Sequence, residues 1–376
     1  MLAFTKSSED NINEERIVNQ IRGLGIDMIH EANSGHPGIV LGAASIIYTV
    51  YAHHLRFSKD NPNFFNRDRF VMSAGHGSAL LYATLAMAGF NIELDDLKNF
   101  RKIDSITPGH PEYGVTPGVD ATTGPLGQGV AMAVGMAIAE KHTEALVNDK
   151  KNNIIDYKVY CLCGDGDLME GVSYEALSLA GNLKLNNLIL LYDSNHVCLD
   201  SDTKKTFTDD IESRFKAMGF NVSTVSDDIK EIDKAITNAK SSDLPSLIQV
   251  KTTIGKYSRN AGKNIVHGKP LDDEDITNIK NELGLRDIPF TISNEALEDF
   301  QKLIDDRCKT IEDDFSEKYN NLDDKTKELL DSLMSSDKKI ELTNLDYAYP
   351  EERVESLRKA SSKVLNSLAN SSKLIF

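Results

Sequence analysis

The chain has 376 residues, 40% of them hydrophobic and 27% charged, with a formal net charge of −16; it is long enough to bury a large core and to form two or more domains. The acidic balance excludes a protein that holds nucleic acid by neutralising phosphates, although a local basic pocket remains compatible with phosphorylated small molecules. No apolar run approaches the roughly 20 residues of a membrane span, and residues 1–22 are polar and carry acidic groups, unlike a secretory or transit leader.

Asn13 to Glu31 reads as an amphipathic helix with Ile17, Ile21, Leu24 and Met28 on one stripe. A polar loop, Asn33 to Gly38, follows and holds His36 between Gly35 and Pro37, where little is expected to bury it; a second apolar helix runs from Val40 to about His54. Arg69 to Ser73 reads as a short strand that feeds Gly75-His-Gly77 and a helix from Ser78 to Ala88. His76 therefore stands at a strand-to-helix turn, a place suited to anions. From Arg101 to Gln128 breakers are dense and periodicity is low, which marks a functional loop. It carries His110 in a Gly-His-Pro setting like that of His36, and then Gly124-Pro125-Leu126, which would offer backbone groups and one apolar side chain. A small-residue helix spans Gly129 to Glu140.

Tyr157 to Cys163 has the composition of a buried strand, in which Cys161 and Cys163 pack as small hydrophobes. With Cys198 and Cys308 they show neither zinc spacing nor a disulfide framework, which points to a reducing cytosol. Gly164-Asp165-Gly166 then turns into a helix carrying Val172, Ala176, Leu179 and Leu183, and a second apolar run, Leu188 to Tyr192, ends in Asp193-Ser194-Asn195. Strand, helix, strand make one βαβ unit with parallel strands. Ligands of such sheets bind beyond the carboxyl ends of the strands, and Asp165 and Asn195 each sit just past such an end. An Asp-Gly turn alone is ordinary structural punctuation, and a lone Asn commonly caps a loop. Together, a carboxylate, an amide oxygen and a nearby carbonyl make a hard oxygen set suited to Mg²⁺, and the flanking glycines would admit a diphosphate to the backbone.

Asp209 to Met218, Phe220 to Val225, Asp228 to Ala239 and Ser246 to Val250 continue the alternation as helix, strand, helix and strand, the pattern of a doubly wound, mostly parallel α/β sheet with helices on both faces. Thr252 to Lys256 opens a glycine-containing loop that reaches His267, the fourth histidine in a glycine-flanked loop. From Gly284 to about Pro350 the chain is acidic and lysine-rich, with helical segments at Asn294 to Asp314 and Asp323 to Met334; it reads as a solvated connector. Glu351 to Ala369 is a further helix, Leu374 to Phe376 looks like the start of a strand, and the chain ends there with no closing element, as part of a longer polypeptide would.

The stretches ANSGHPG (32–38), AGHGSALLYA (74–83), TPGHPE (107–112), TTGPLGQG (122–129), GDGDLMEG (164–171) and VHGKPL (266–271) together resemble the transketolase family, in the family's order. GDG followed after thirty residues by Asn195 also resembles the fingerprint of thiamine diphosphate enzymes. The resemblance implies a thiamin diphosphate-binding fold with a diphosphate-binding domain over residues 1–283, an acidic helical linker over 284–350 and the incomplete start of a pyrimidine-binding domain over 351–376. It implies Mg²⁺ (with Ca²⁺ or Mn²⁺ as substitutes) on Asp165, Asn195 and the carbonyl of Val197. The diphosphate of thiamine diphosphate would lie on Gly166, Asn195, His76 and His267, and its rings against Gly124, Pro125, Leu126 and Leu199.

His36 and His267 match residues that serve the acceptor's carbonyl oxygen, His110 one that contacts a donor hydroxyl, Glu170 a carboxylate of the network joining two active sites, and Arg358 a sugar-phosphate-binding arginine. The activity implied is transfer of a two-carbon ketol unit, through the cofactor's ylid, from a ketose phosphate such as xylulose 5-phosphate to an aldose phosphate such as ribose 5-phosphate. It belongs to the pentose phosphate pathway and to a cytoplasmic homodimer with sites at the subunit interface. Dihydroxyacetone synthase and other thiamine diphosphate enzymes are the alternatives, disfavoured by TPGHPE and VHGKPL; a silent scaffold or a split subunit is another. Cys198 and Asp200-Ser201 depart from the family pattern, in which Ser or Thr and Asp-Gly are usual. The glutamate that protonates the aminopyrimidine lies, in the family, in a domain this chain does not complete, so the chain alone is expected to bind at most the diphosphate half of the cofactor and to be inactive.

Overall fold

The computed structural model describes residues 12–199, 201–335 and 354–371; Asp200 and the C-terminal Leu374-Ile-Phe376 strand expectation lie outside them. The chain divides into two compact units, Met1–Glu317 and Lys318–Phe376.

The first unit opens with α1 (Glu14–Ala32), whose N-cap Asn13 accepts from the Arg16 N–H and whose Glu14 and Glu15 complement the helix dipole. Its stripe Ile17, Ile21, Leu24 and Met28 is fully buried. The helix expected from Val40 to His54 instead begins at Pro37, which suits the first helical position, and breaks into α2 (Pro37–Gly42), α3 (Ala44–Thr49) and a π-helical turn (Val50–His54). The break has a physical cause. Beside it, a Cβ on Gly42 would stand 2.9 Å from the Thr253 carbonyl oxygen, and the freed Leu41 carbonyl accepts from the buried Arg22 Nε at 3.1 Å.

β1 (Arg69–Met72), α4 (Ser78–Met87), α5 (Leu94–Lys98) and the long α6 (Gln128–Val147) follow, and between α5 and α6 runs the loop expected there. The rest of the sheet alternates strictly: β2 (Val159–Gly164), α7 (Asp165–Met169), α8 (Gly171–Asn182), β3 (Leu188–Ser194), α9 (Ile211–Ala217), β4 (Asn221–Ser226), α10 (Ile229–Lys240) and β5 (Ser246–Lys251). All pairings are parallel, in the order β1-β2-β3-β5-β4. Every residue of the central β3 is buried, which requires cover on both faces of the sheet. Ile189 and Leu191 of β3 join one core with Ile232 and Ile236 of α10 and with α1, α3 and α4. On the opposite side Asn187, just before β3, donates to the Ala137 carbonyl of α6.

α8 turns a different face inward from the one its apolar spacing suggests. Ser173, Leu177, Ala180 and Gly181 are buried, while Leu179 and Leu183 are 46% and 47% exposed. The small residues face in because the Met218–Phe220 turn lies directly on Gly181, leaving no room for a side chain. α11 (Asp273–Glu282) and α12 (Asn294–Cys308) complete this unit together with the start of α13 (Ile311–Asn320).

α12 is not a solvated connector. Ala296, Phe300 and Ile304 are buried, and the Phe300 ring lies 5.4 Å from that of Tyr48. Arg307 closes the π-helical turn, donating from Nη2 to the Tyr51 carbonyl at 2.6 Å and the Leu55 carbonyl at 2.8 Å. Residues 284–317 therefore fold with the sheet, and the compact unit ends later than the expected boundary at 283. The second unit contains α14 (Asp324–Met334) and α15 (Leu357–Ser371). Among the described residues no helix is long and apolar enough to cross a membrane.

Candidate functional site

A cavity of about 240 Å³ opens beyond the carboxyl ends of β1, β2 and β3. Each strand delivers one element of it: β1 the Gly75-His76-Gly77 turn, β2 Asp165 and Gly166, and β3 Asn195 to Leu199. Loops from elsewhere close it with His36, His110, Gly124, Leu126 and His267.

The glycines leave room where backbone and ligand would meet. Gly124 has a φ of +145°, and a Cβ there would press on the His110 ring at 3.2 Å. A Cβ on Gly166 would stand 2.8 Å from Leu126 Cδ1. Leu126 and Leu199, 36% and 62% exposed, form the apolar rim. Pro125 is exposed between two lining residues and does not itself line the cavity.

Three imidazoles from three separate loops converge. The His36 ring lies 5.0 Å from His76 and 5.6 Å from His267, and His76 stacks on His267 at 5.1 Å. His36 is half-buried, contrary to the exposed position expected of its loop. Burial, reinforced by His267, Arg101 and His110, pushes its pKa down to about 4, and its Nδ1 is buried with no partner. Burial also lowers His76, His267 and His110, the last with help from Arg101. At neutral pH the cluster is uncharged.

The same cavity is lined by carboxylates. Asp165 is 4% exposed; its Oδ1 accepts from the Tyr192 hydroxyl at 2.6 Å, while Oδ2 is buried without a partner. Burial pushes its carboxyl up to about 6, against the hydrogen bond from the Tyr192 hydroxyl. Burial likewise pushes Asp193 up to about 6, opposed by bonds from Thr252 and Asn195. The Asn195 amide donates to Asp193 at 2.9 Å and its oxygen accepts from the Val197 N–H at 3.0 Å, which fixes the amide's orientation. Asp167 is a third buried carboxylate; it accepts from the Ser73 hydroxyl at 2.7 Å, the Gly127 N–H at 2.8 Å and the Gly164 N–H at 2.9 Å, tying two strand ends to the Gly124–Gly127 loop.

Among the described residues no lysine or arginine lines the cavity. A wall of buried carboxylates, one oxygen of which has no donor, calls for a cation. Among the described residues no group of three or more His, Cys, Asp or Glu could hold one. The available set is a single carboxylate with amide and carbonyl oxygens, which fits a hard divalent ion that keeps water and phosphate ligands.

Within the first unit one further expected site residue does not line the cavity. Glu170 is the exposed, extended joint between α7 and α8. Arg358 is exposed on α15, in the second unit. Conversely, Tyr192, Asp193, Asp167 and Arg101 shape the site without having been expected to. Asp167 and Asp193 could have been noticed from their places two residues from Asp165 and Asn195; for Tyr192 and Arg101 the sequence holds no comparable signal.

A family model described as "Transketolase, thiamine diphosphate binding domain" matches residues 13–339. Transketolases of Bacillus subtilis and Aquifex aeolicus are 46% and 44% identical over 364 and 360 residues, each match covering 95% of this chain and 55% and 52% of the relative. Among solved structures, a transketolase from Pichia stipitis in complex with sedoheptulose 7-phosphate superposes with a TM-score of 0.88 at 37% identity, covering 95% of this chain and 54% of that one. The Campylobacter jejuni transketolase gives 0.84 at 42% identity, covering 96% and 56%. The chain thus spans about half the length of the curated relatives it matches. A parallel α/β sheet with its glycine-flanked histidines and Asp165–Asn195 pair at the strand ends, and a family match over most of its length, show that this chain belongs to the transketolase family.

Proposed function

We propose that this chain forms the diphosphate- and metal-binding half of the active site of a transketolase, which moves a two-carbon ketol unit from a ketose phosphate such as xylulose 5-phosphate to an aldose phosphate such as ribose 5-phosphate, in the pentose phosphate pathway. The observation that carries the reading is the orphaned Oδ2 of Asp165, a residue that lines one cavity together with Asn195 and three converging imidazoles. Asp165, the Asn195 amide oxygen and the Val197 carbonyl hold Mg²⁺, with Ca²⁺ or Mn²⁺ as substitutes. Gly166, Asn195, His76 and His267 hold the diphosphate of thiamine diphosphate, and Gly124, Leu126 and Leu199 flank its rings. When bound, thiamine diphosphate supplies the carbanion chemistry of the transfer.

The chain's own residues supply position and proton routes. Neutral imidazoles at His36 and His267 donate N–H groups to the acceptor's carbonyl oxygen, and His110 contacts a donor hydroxyl. Burial alone makes His36 a poor base at neutral pH, but an anionic phosphate a few ångströms away favours the charged form and raises an imidazole's pKa towards the working range. Glu170, exposed on the first unit, joins a network to a second subunit of a homodimer, and Arg358 takes the sugar phosphate. The free, buried Cys161 and Cys163 suit a cytoplasmic protein.

The test is to incubate the whole protein with thiamine diphosphate, Mg²⁺, xylulose 5-phosphate and ribose 5-phosphate. A seven-carbon sugar phosphate is expected. Turnover with formaldehyde alone as acceptor would instead identify a dihydroxyacetone synthase.

A further inference from the structure

Arg101 lies outside the roles assigned above, yet its side chain connects two of the histidine loops. Its Nη1 donates to the Ser34 hydroxyl at 2.8 Å, two residues before His36, and its Nη2 donates to the Gly109 carbonyl at 3.4 Å, one residue before His110. The backbone is committed to this arrangement. Arg101 has a φ of +63°, a left-handed conformation costly for a residue with a Cβ, and its N–H donates to the Thr107 carbonyl, closing the turn that leads into the loop. The guanidinium lies 5.4 Å over the Phe100 ring, and its Nε is buried without a partner.

The loop of His110 has other anchors: the Ser78 hydroxyl donates to the Gly109 carbonyl at 2.8 Å, and the Tyr82 hydroxyl to the His110 carbonyl at 3.0 Å. Arg101 therefore extends from an anchored loop to the Ser34 side of the cavity. A planar fork does this better than a single ammonium, because two nitrogens can address two acceptors at once.

We propose that Arg101 is a positioning residue that fixes the His36 turn against the His110 loop and so sets the separation of the two imidazoles across the cavity. Its bearing on ketol transfer rests on the transketolase reading, whereas the following experiment uses the ligand-free protein, so failure of one is distinguishable from failure of the other. Amide exchange is followed at residues 34–36 and 109–110, and imidazole titration by NMR, in the parent, Arg101→Gln, Arg101→Lys and Ser34→Ala.

His36 faces Arg101, His76, His267 and His110; His110 faces Arg101 and the Gly124 backbone; His267 faces the rings of His36 and His76. In Arg101→Gln, exchange at 34–36 and 109–110 is expected to rise about tenfold, and His36 and His110 to titrate at higher pH while His267 stays put. Arg101→Lys keeps the charge but not the fork, so exchange rises and titration holds. Ser34→Ala, which removes only the far acceptor, raises exchange at 34–36 alone. Unchanged exchange at 34–36 in both Arg101→Gln and Ser34→Ala overturns the proposal, as does an equal shift of all four histidines, which would indicate general loosening.

Discussion

Replacing Asp165 by Asn separates a metal ligand from a structural carboxylate, because the two roles predict opposite signs. Burial holds the carboxyl near 6 rather than its ordinary 3.8. That displacement corresponds to about 3 kcal/mol. The sign follows from the direction of the shift. Above pH 6 the group is ionised in both states, and the folded protein carries the full penalty. As pH falls from 6 towards 4 the folded state takes up the proton first and the penalty disappears.

Asn keeps an oxygen for the Tyr192 hydroxyl, now 2.6 Å from Asp165 Oδ1, and removes the charge. It also brings N–H groups that need acceptors, at roughly 1 kcal/mol. The net expectation at pH 8, with chelator present, is a variant more stable than its parent by about 2 kcal/mol, or a few degrees in Tm. Adding Mg²⁺ and thiamine diphosphate should reverse the order: the parent gains about 2.7 kcal/mol at a hundredfold excess over Kd, and the variant gains little. Urea and thermal unfolding under both conditions read this out. If the chelated variant is the less stable of the pair, the carboxylate is structural and the metal assignment fails.

Three further outcomes follow from the same geometry. The imidazoles are held below their ordinary pKa, so their stabilising contribution is intact above pH 6.5 and is lost as pH falls towards 4; His36→Gln should flatten this slope by no more than about 3 kcal/mol between pH 7 and 4, measured from urea midpoints. Asp167→Ala strands two buried N–H groups and the Ser73 hydroxyl, so unfolding free energy should drop by about 3–5 kcal/mol, and an unchanged midpoint would refute its tying role. Gly166→Ala places a methyl 2.8 Å from the flexible end of Leu126, so folding should change by less than about 1 kcal/mol while calorimetry shows thiamine diphosphate binding weakened about tenfold.

The sheet was legible because β2 and β3 are apolar runs bounded by turn residues and the strands alternate with helical segments, and the Asp165–Asn195 pair because both follow strand ends. What could not be read depends on contacts far along the chain. The inward face of α8 is set by Met218 lying on Gly181, some forty residues away, which overrides the spacing of Leu179 and Leu183. The burial of His36 comes from His76 and His267, which no local pattern brings beside it. In α12 the positions Ala296, Phe300 and Ile304 do recur every four residues, but the acidic residues around them disguised a core helix as a solvated one. Tyr192, read only as the end of an apolar strand, points its hydroxyl at Asp165.

The Arg307 clamp has a consequence for biosynthesis. The carbonyls of Tyr51, Ala52 and Leu55 are closed by a side chain about 250 residues later in the chain, and the apolar faces of Tyr48 and α1 are covered by the same helix. At translation rates of about 5–20 residues per second, the opening helices wait roughly 13–50 s for their lid. During that interval their apolar stripe stays open to chaperones or to aggregation, so substitutions that unseat α12 should lower soluble yield more than they lower equilibrium stability.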